Sequence, residues 1–248
     1  MKVSLLQLDI VWGNPDVNIE KAECLMSHPA DMYVLPEMWA TGYSKHPEEV
    51  AEDEERSKAL AWMRATAKER HCAISGSLAI KDKEGHYRNR HYFVTPDHVV
   101  FYDKHHLFTY ANEHLHYTAG QQHLVVAYGG LRFLLLTCYD LRFPVWSRYG
   151  RAGEFDAIIY VANWPHARQY AWDTLLRARA IENMCYVIGV NRVGCEKHIT
   201  FSGGSVVIDP LGHPLASCDD LEQMCTAVIS PDKVVEARMS MPVLADCD

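Results

Sequence analysis

Short apolar runs of strand length alternate with stretches of helical periodicity along the whole chain, and this alternation constrains the fold more than any other feature. The pattern predicts strands at Val3–Asp9, Met32–Leu35, Cys72–Ile80, His91–Thr95 and Val99–Tyr102. It continues with Leu131–Thr137, Ala157–Val161, Tyr186–Asn191, Ser205–Ile208 and Cys225–Ile229. Helices are predicted at Val17–Met26, Glu54–Arg70, Gln169–Asn183 and Asp232–Met239, with a short one after Pro144. The Gln169–Asn183 stretch carries Ala171, Leu175, Ala178 and Ile181 at helical spacing. Glu84-Gly85 and Asp209-Pro210-Leu211-Gly212 read as hairpin turns. Several strands follow one another without a helix between them, so the sheets should be mixed and the class α/β, with helices covering sheets.

No repeat, low-complexity tract or Pro/Gly/Ser linker divides the 248 residues, and residues 1–248 are read as a single domain. A chain of this size should fold to about 11,000 Å² of surface and needs no staples. Lys and Arg number 24 against 32 Asp and Glu, a net charge of −8 that disfavours nucleic acid and anionic membranes as partners. No apolar stretch approaches the roughly 20 residues of a bilayer span. Gln7 and Asp9 interrupt the first apolar run, which therefore reads as a buried strand rather than a signal peptide. The eight cysteines include no C-x-x-C pair. A cytoplasmic, reducing location with free thiols is the expectation.

Three residues stand just beyond the ends of apolar strands, where α/β folds collect their sites. Cys138 ends the run Leu131–Thr137, and backbone N–H groups turning outward there could hold an oxyanion beside a nucleophilic thiol. It could equally be a small buried hydrophobe. Glu37, among Pro36, Met38 and Trp39, is poorly solvated and suited to taking and returning a proton, or else is an acid favoured by a helix N-terminus. Lys104 follows Val99–Tyr102 and is either a site cation or a solvated loop lysine. G-x-S-x-G, G-x-G-x-x-G and phosphate-loop patterns are absent, and Ser202-Gly203-Gly204-Ser205 reads as a turn. Among the 14 histidines, H-E-x-x-H does not occur; His114 and His116 are the pair on which a metal-dependent hydrolase would have to rest.

Leu35-Pro36-Glu37-Met38, Asp103-Lys104-His105-His106-Leu107-Phe108 and Cys138-Tyr139-Asp140-Leu141-Arg142-Phe143-Pro144 resemble the three catalytic blocks of the nitrilase superfamily, the carbon–nitrogen hydrolases, in the family's order. The likeness runs from Val3 to about Val235. Asn163-Trp164-Pro165, Arg177-Ala178-Arg179-Ala180-Ile181-Glu182-Asn183 and Asn191-Arg192-Val193-Gly194 make it most similar to the omega-amidase branch. The resemblance implies a four-layer α-β-β-α sandwich, usually dimerised so that the sandwich continues across the interface. Cys138 would be the nucleophile, Glu37 the general base and acid, and Lys104, with the Tyr139 backbone N–H, the holder of the oxyanion. Glu113 matches a second family glutamate that orients Glu37 and Lys104, with His114 beside it at the pocket wall. No metal or organic cofactor is implied.

The same resemblance implies a small-molecule amide as substrate: the terminal amide of a short dicarboxylic monoamide such as 2-oxoglutaramate or succinamate. Arg142 matches the position expected to hold the far carboxylate, a role that a guanidinium fork suits, although it could instead brace its loop through Asp140. Trp164, Arg168 and Tyr43 are candidates for the pocket wall. N-carbamoyl or aliphatic amides, or a non-catalytic binding role on the same fold, are the alternatives. The residues after Met239, Ser240 to Asp248, carry none of the long tail associated with nitrilase filaments, so a closed homodimer is expected.

Overall fold

Alternate side chains of the N-terminal strands enter two different cores. Val3, Leu5, Met32, Val34, Ala73 and Phe93 face one, whereas Leu6, Leu8, Tyr33, Leu35, Ile74, Tyr92 and Val94 face the other. Neighbouring strand residues point to opposite sides, so this sheet must be covered on both faces.

The computed structural model describes residues 1–246 and shows what covers it. The first half contains β1 (Lys2–Gln7), α1 (Pro15–Leu25), β2 (Met32–Val34), β3 (Glu52–Asp53), α2 (Lys58–Arg70), β4 (Ala73–Lys81), β5 (Tyr87–Val94) and β6 (Val99–Asp103). Next come β7 (Val125–Tyr128), β8 (Leu131–Thr137), β9 (Ala157–Ala162), α3 (Gln169–Asn183) and β10 (Tyr186–Asn191). The last part holds β11 (Val193–Glu196), β12 (Ile199–Ser202), β13 (Val206–Ile208), β14 (Pro214–Ser217), β15 (Gln223–Val228) and α4 (Pro231–Ser240). One sheet has the order β15-β1-β2-β4-β5-β6, with β3 beside the far end of β4; the other has β14-β13-β10-β9-β8-β7. Both are mixed: β1, β2 and β4 run parallel, as do β8, β9 and β10, and the flanking pairs are antiparallel.

Ala22 of α1 and Leu60, Met63 and Ala67 of α2 cover the outer face of the first sheet. Trp172, Leu176 and Ala180 of α3 and Val234 of α4 join the core of the second, while β1 meets β10 and β5 meets β8 between the sheets. The layers are thus α, β, β, α, as expected. A surface of 11116 Å² matches the scaling expectation for a chain of this length. No helix among the described residues is long and apolar enough to cross a membrane.

Several local expectations are corrected. The helix predicted from Glu54 begins at Lys58, because the Ser57 hydroxyl accepts from the Leu60 N–H and caps it there. Helix α3 has the predicted bounds but buries Trp172, Leu176, Arg179, Ala180 and Asn183, leaving Ile181 exposed. After Cys138 the chain makes a 3-10 turn, Cys138–Arg142, before a second one, Pro144–Ser147. Strands β3, β7, β11, β12 and β14 go beyond the predicted set. The β11–β12 hairpin has strands of only four residues and is largely solvated, and β14 starts with a proline at the sheet edge. The expectation of free thiols fails at one place: Cys218, after β14, and Cys225, in β15, form a disulfide, because strands from the two sheets bring their Cα atoms to 5.9 Å. Cys24, Cys72, Cys138, Cys185 and Cys195 are free, and Cys247 lies outside the described residues.

Candidate active site

Burial of charge organises the site. Lys104, one residue past β6, is completely enclosed, and its ammonium can remain there only if anions face it. Two do: Lys104 Nζ lies 2.9 Å from Glu37 Oε1 and 2.9 Å from Glu113 Oε2. Burial pulls its pKa down, but Glu113 and then Glu37 outweigh that and hold it well above the usual lysine range. Glu113 is fixed in turn by the Phe108 N–H at 2.6 Å.

Glu37 collects further donors. Asn89 Nδ2, from the middle of β5, donates to Glu37 Oε1 at 2.7 Å and to Glu113 Oε1 at 3.3 Å, so one amide ties both carboxylates together. The Asn163 N–H, beyond β9, donates to Glu37 Oε2 at 2.8 Å, and Asn163 Nδ2 holds the Glu37 carbonyl at 2.6 Å. These contacts leave the carboxylate little rotational freedom.

Cys138 adopts φ +45°, a left-handed conformation that costs a residue with a Cβ about 1–3 kcal/mol. Its turn is pinned from below by Asp140, a fully buried carboxylate that accepts from Thr137 N at 3.0 Å and Tyr102 Oη at 2.8 Å. Asp140 also receives His106 N at 2.9 Å and pairs with His106 Nδ1 at 2.8 Å. Arg179 of α3 donates to the Leu141 carbonyl at 2.7 Å from the other side. Cys138 and Tyr139 occupy the first positions of the turn, whose N–H groups have no partner within it. Burial, and then the negative charge of Glu37, push the Cys138 thiol well above its ordinary pKa, with Lys104 pulling the other way.

These groups share one cavity of about 220 Å³. Glu37, Lys104, Cys138 and Tyr139 line it together with Tyr43, Arg142, Trp164 and Arg168. The Arg142 guanidinium lies 4.9 Å from the Trp164 ring centre and that of Arg168 5.4 Å from Phe108. Neither has a carboxylate partner among the described residues. Bracing through Asp140 does not occur, since that carboxylate is filled by Tyr102, His106 and Thr137. The Tyr43 hydroxyl and Asn163 Oδ1 are buried without partners. One placement is corrected: His114 is exposed and does not line the cavity, because the 3-10 turn Glu113–Leu115 points Glu113 inward and its neighbour outward. His116 is likewise off the cavity, beside His46. Sequence reasoning missed Asn89, whose signal was an amide in the middle of a strand run that otherwise disfavours it. It also missed the Asp140–His106–Tyr102 clamp, for which three separate segments must meet.

A thiol, a carboxylate and an ammonium converging on one enclosed cavity, on this sandwich, define a cysteine-dependent hydrolase of C–N bonds. The chain belongs to the carbon–nitrogen hydrolase family, whose model matches residues 2–239. It is 40% identical to the omega-amidase YafV of Escherichia coli K12, over 100% of this chain and 97% of that one. It is 37% identical to the 2-oxoglutaramate amidase of Bacillus subtilis 168, over 98% and 96% respectively. Its fold matches that of XC1258 from Xanthomonas campestris, a CN-hydrolase superfamily protein with an arsenic adduct in the active site, with a TM-score of 0.93, 40% identity and coverage of 100% and 97%.

Proposed function

We propose that the protein hydrolyses the terminal amide of a small dicarboxylic monoamide, of the 2-oxoglutaramate or succinamate kind, to a carboxylate and ammonia. The observation that carries this reading is the pair of guanidiniums, Arg142 and Arg168, which have no carboxylate partner among the described residues and line the same cavity as the Cys138 thiol and the buried Glu37–Lys104 pair. The cavity is smaller than drug-sized sites, which suits a short acid. The omega-amidase relatives support the same substrate class.

In this mechanism Glu37 takes the Cys138 proton as sulfur attacks the amide carbon. Lys104 and the Tyr139 N–H face the oxygen as it becomes negative. Glu37 returns the proton to nitrogen, the C–N bond breaks, ammonia leaves, and a thioester remains. Water, deprotonated by Glu37, then adds to the thioester carbon; the C–S bond breaks and the thiol is restored. Glu113 positions Lys104, and Arg142 grips the far carboxylate as a fork. The cycle requires no cofactor. Folded as one domain, the protein should work as a homodimer in the cytoplasm. Light scattering tests the dimer.

A panel of 2-oxoglutaramate, succinamate, an aliphatic amide, an N-carbamoyl amino acid and a nitrile, read by ammonia release, tests the assignment. The omega-amides should be fastest. Cys138→Ala should lower turnover on the order of 10⁴-fold or more. Arg142→Ala should raise KM about 10–100-fold for carboxylate-bearing amides only, the loss expected of a charge-assisted bond. Faster turnover of nitriles or N-carbamoyl compounds, or no acyl adduct on Cys138 by intact mass, overturns it.

A further inference from the structure

Outside the cavity, two segments distant in sequence bring three metal-ligating side chains together. His46 and Glu48 flank Pro47 at the start of a one-turn helix, and His116 follows the turn that carries Glu113. One donor atom from each of the three lies within 4.8 Å of the others. His46 Nδ1 is 3.3 Å from Glu48 Oε1, and the two imidazole ring centres are 5.3 Å apart, edge to face.

We propose that His46, Glu48 and His116 form a binding site for a late first-row divalent cation of the zinc type, separate from the amidase centre. Two imidazoles and one carboxylate are an N/O donor set suited to Zn²⁺, Co²⁺ or Ni²⁺ and ill-suited to Mg²⁺ or Ca²⁺, which prefer oxygen alone. Tetrahedral ligands at about 2.0–2.2 Å stand roughly 3.4 Å apart, so modest side-chain rotations close the observed spacing. No competing cation occupies these donors: their side-chain contacts among the described residues are with one another. A second cluster, Asp82, Glu84 and His86, makes a useful contrast. There the carboxylate of Asp82 is already consumed by Arg88 Nε at 2.9 Å and by the Glu84 and His86 N–H groups of its own turn. His46 and Glu48 are open to solvent at 44% and 55%, so an ion can enter without unfolding the loop.

Such an ion would join the segment that follows Tyr43, a cavity wall, to the segment that follows Glu113, which holds Lys104. Tyr117 Oη already joins them through the Ser44 carbonyl at 2.9 Å. The bound ion therefore acts as a second staple across the cavity's flank.

Titration of the full-length, reduced protein with Co²⁺, followed by visible absorption and competed with Zn²⁺ or Mg²⁺, tests this. One equivalent should bind per chain, displaced by Zn²⁺ and unaffected by millimolar Mg²⁺. At a hundredfold excess over Kd, Zn²⁺ should raise Tm by about 5 °C or more. His46→Ala and His116→Ala should each weaken binding at least tenfold and abolish the Tm gain, whereas His86→Ala should leave both unchanged. The proposal fails if binding is not saturable, or if it survives both histidine substitutions. Near-ultraviolet thiolate-to-cobalt bands, which would place the ion on a cysteine, or a loss with His86→Ala, sink it equally. Because the readout is binding, it stands or falls independently of the amidase assignment.

Discussion

At the scale of the residue, Lys104 is the pivot. Its ammonium is shared between two carboxylates, and under the proposed mechanism how it is shared decides whether it can turn toward a developing oxyanion. Glu113→Gln keeps the shape but leaves Glu37 as the one carboxylate paired with Lys104 among the described residues. Lys104 should then be drawn onto Glu37, lowering kcat about 10²–10³-fold, the range for a lost oxyanion donor, with KM little changed. Steady-state kinetics with circular dichroism as a fold control measure this; an equal loss in kcat and in thermal stability would reduce Glu113 to a structural role. That Glu37, Lys104 and Cys138 would meet at one cavity was legible because each stands just beyond the end of an apolar strand. Asn89, which holds both glutamates, was missed because it lies just before the predicted strand His91–Thr95, in the polar first half of β5.

At the scale of the element, the two sheets are locked by a polar contact inside an apolar interface. His91 of β5 pairs through Nε2 with Ser75 Oγ of β4 at 2.8 Å and through Nδ1 with the Leu136 carbonyl of β8 at 3.1 Å. Burial pushes its pKa down to about 3 from the ordinary 6.5. The unfolded chain thus binds a proton that the folded one refuses. This contribution to stability is fully present above pH 6.5 and is lost as pH falls from there toward 3. Urea unfolding should show a midpoint that drops between pH 7 and 5, and His91→Gln should flatten that slope. An unchanged slope would mean that other groups govern acid sensitivity. Leu136 stands two residues before Cys138, so the same contact sets the height of the strand that presents the sulfur.

At the scale of the whole molecule, the disulfide closes the second sheet onto the first. The Asp219 and Leu221 carbonyls between the paired cysteines accept Gln7 Nε2 at 2.6 and 2.8 Å, and Gln7 Oε1 receives Ser205 N and Oγ. One buried glutamine thereby ties β1 of the first sheet to the loop leading into β13 of the second. Titration of the denatured protein without reductant should reveal two fewer reactive thiols than after reduction. An equal count under both conditions would show that Cys218 and Cys225 are not bonded in solution.

The class of fold and the candidate reacting groups were legible in the chain itself. Apolar period and strand length determine which segments become sheet, and residue type at strand ends determines what chemistry is available there. What tertiary structure decided is everything that depends on distance between segments. His114 and Glu113 are adjacent in sequence, yet one turn of backbone sends the first to solvent and the second to Lys104. Cys218 and Cys225 lack any motif spacing and are joined by strand placement. Arg142 does not pair with Asp140 because Tyr102 and His106, drawn from other segments, and the Thr137 N–H have already satisfied that carboxylate. Periodicity is a local property of covalent neighbours, whereas electrostatic partners are chosen by packing across the whole chain.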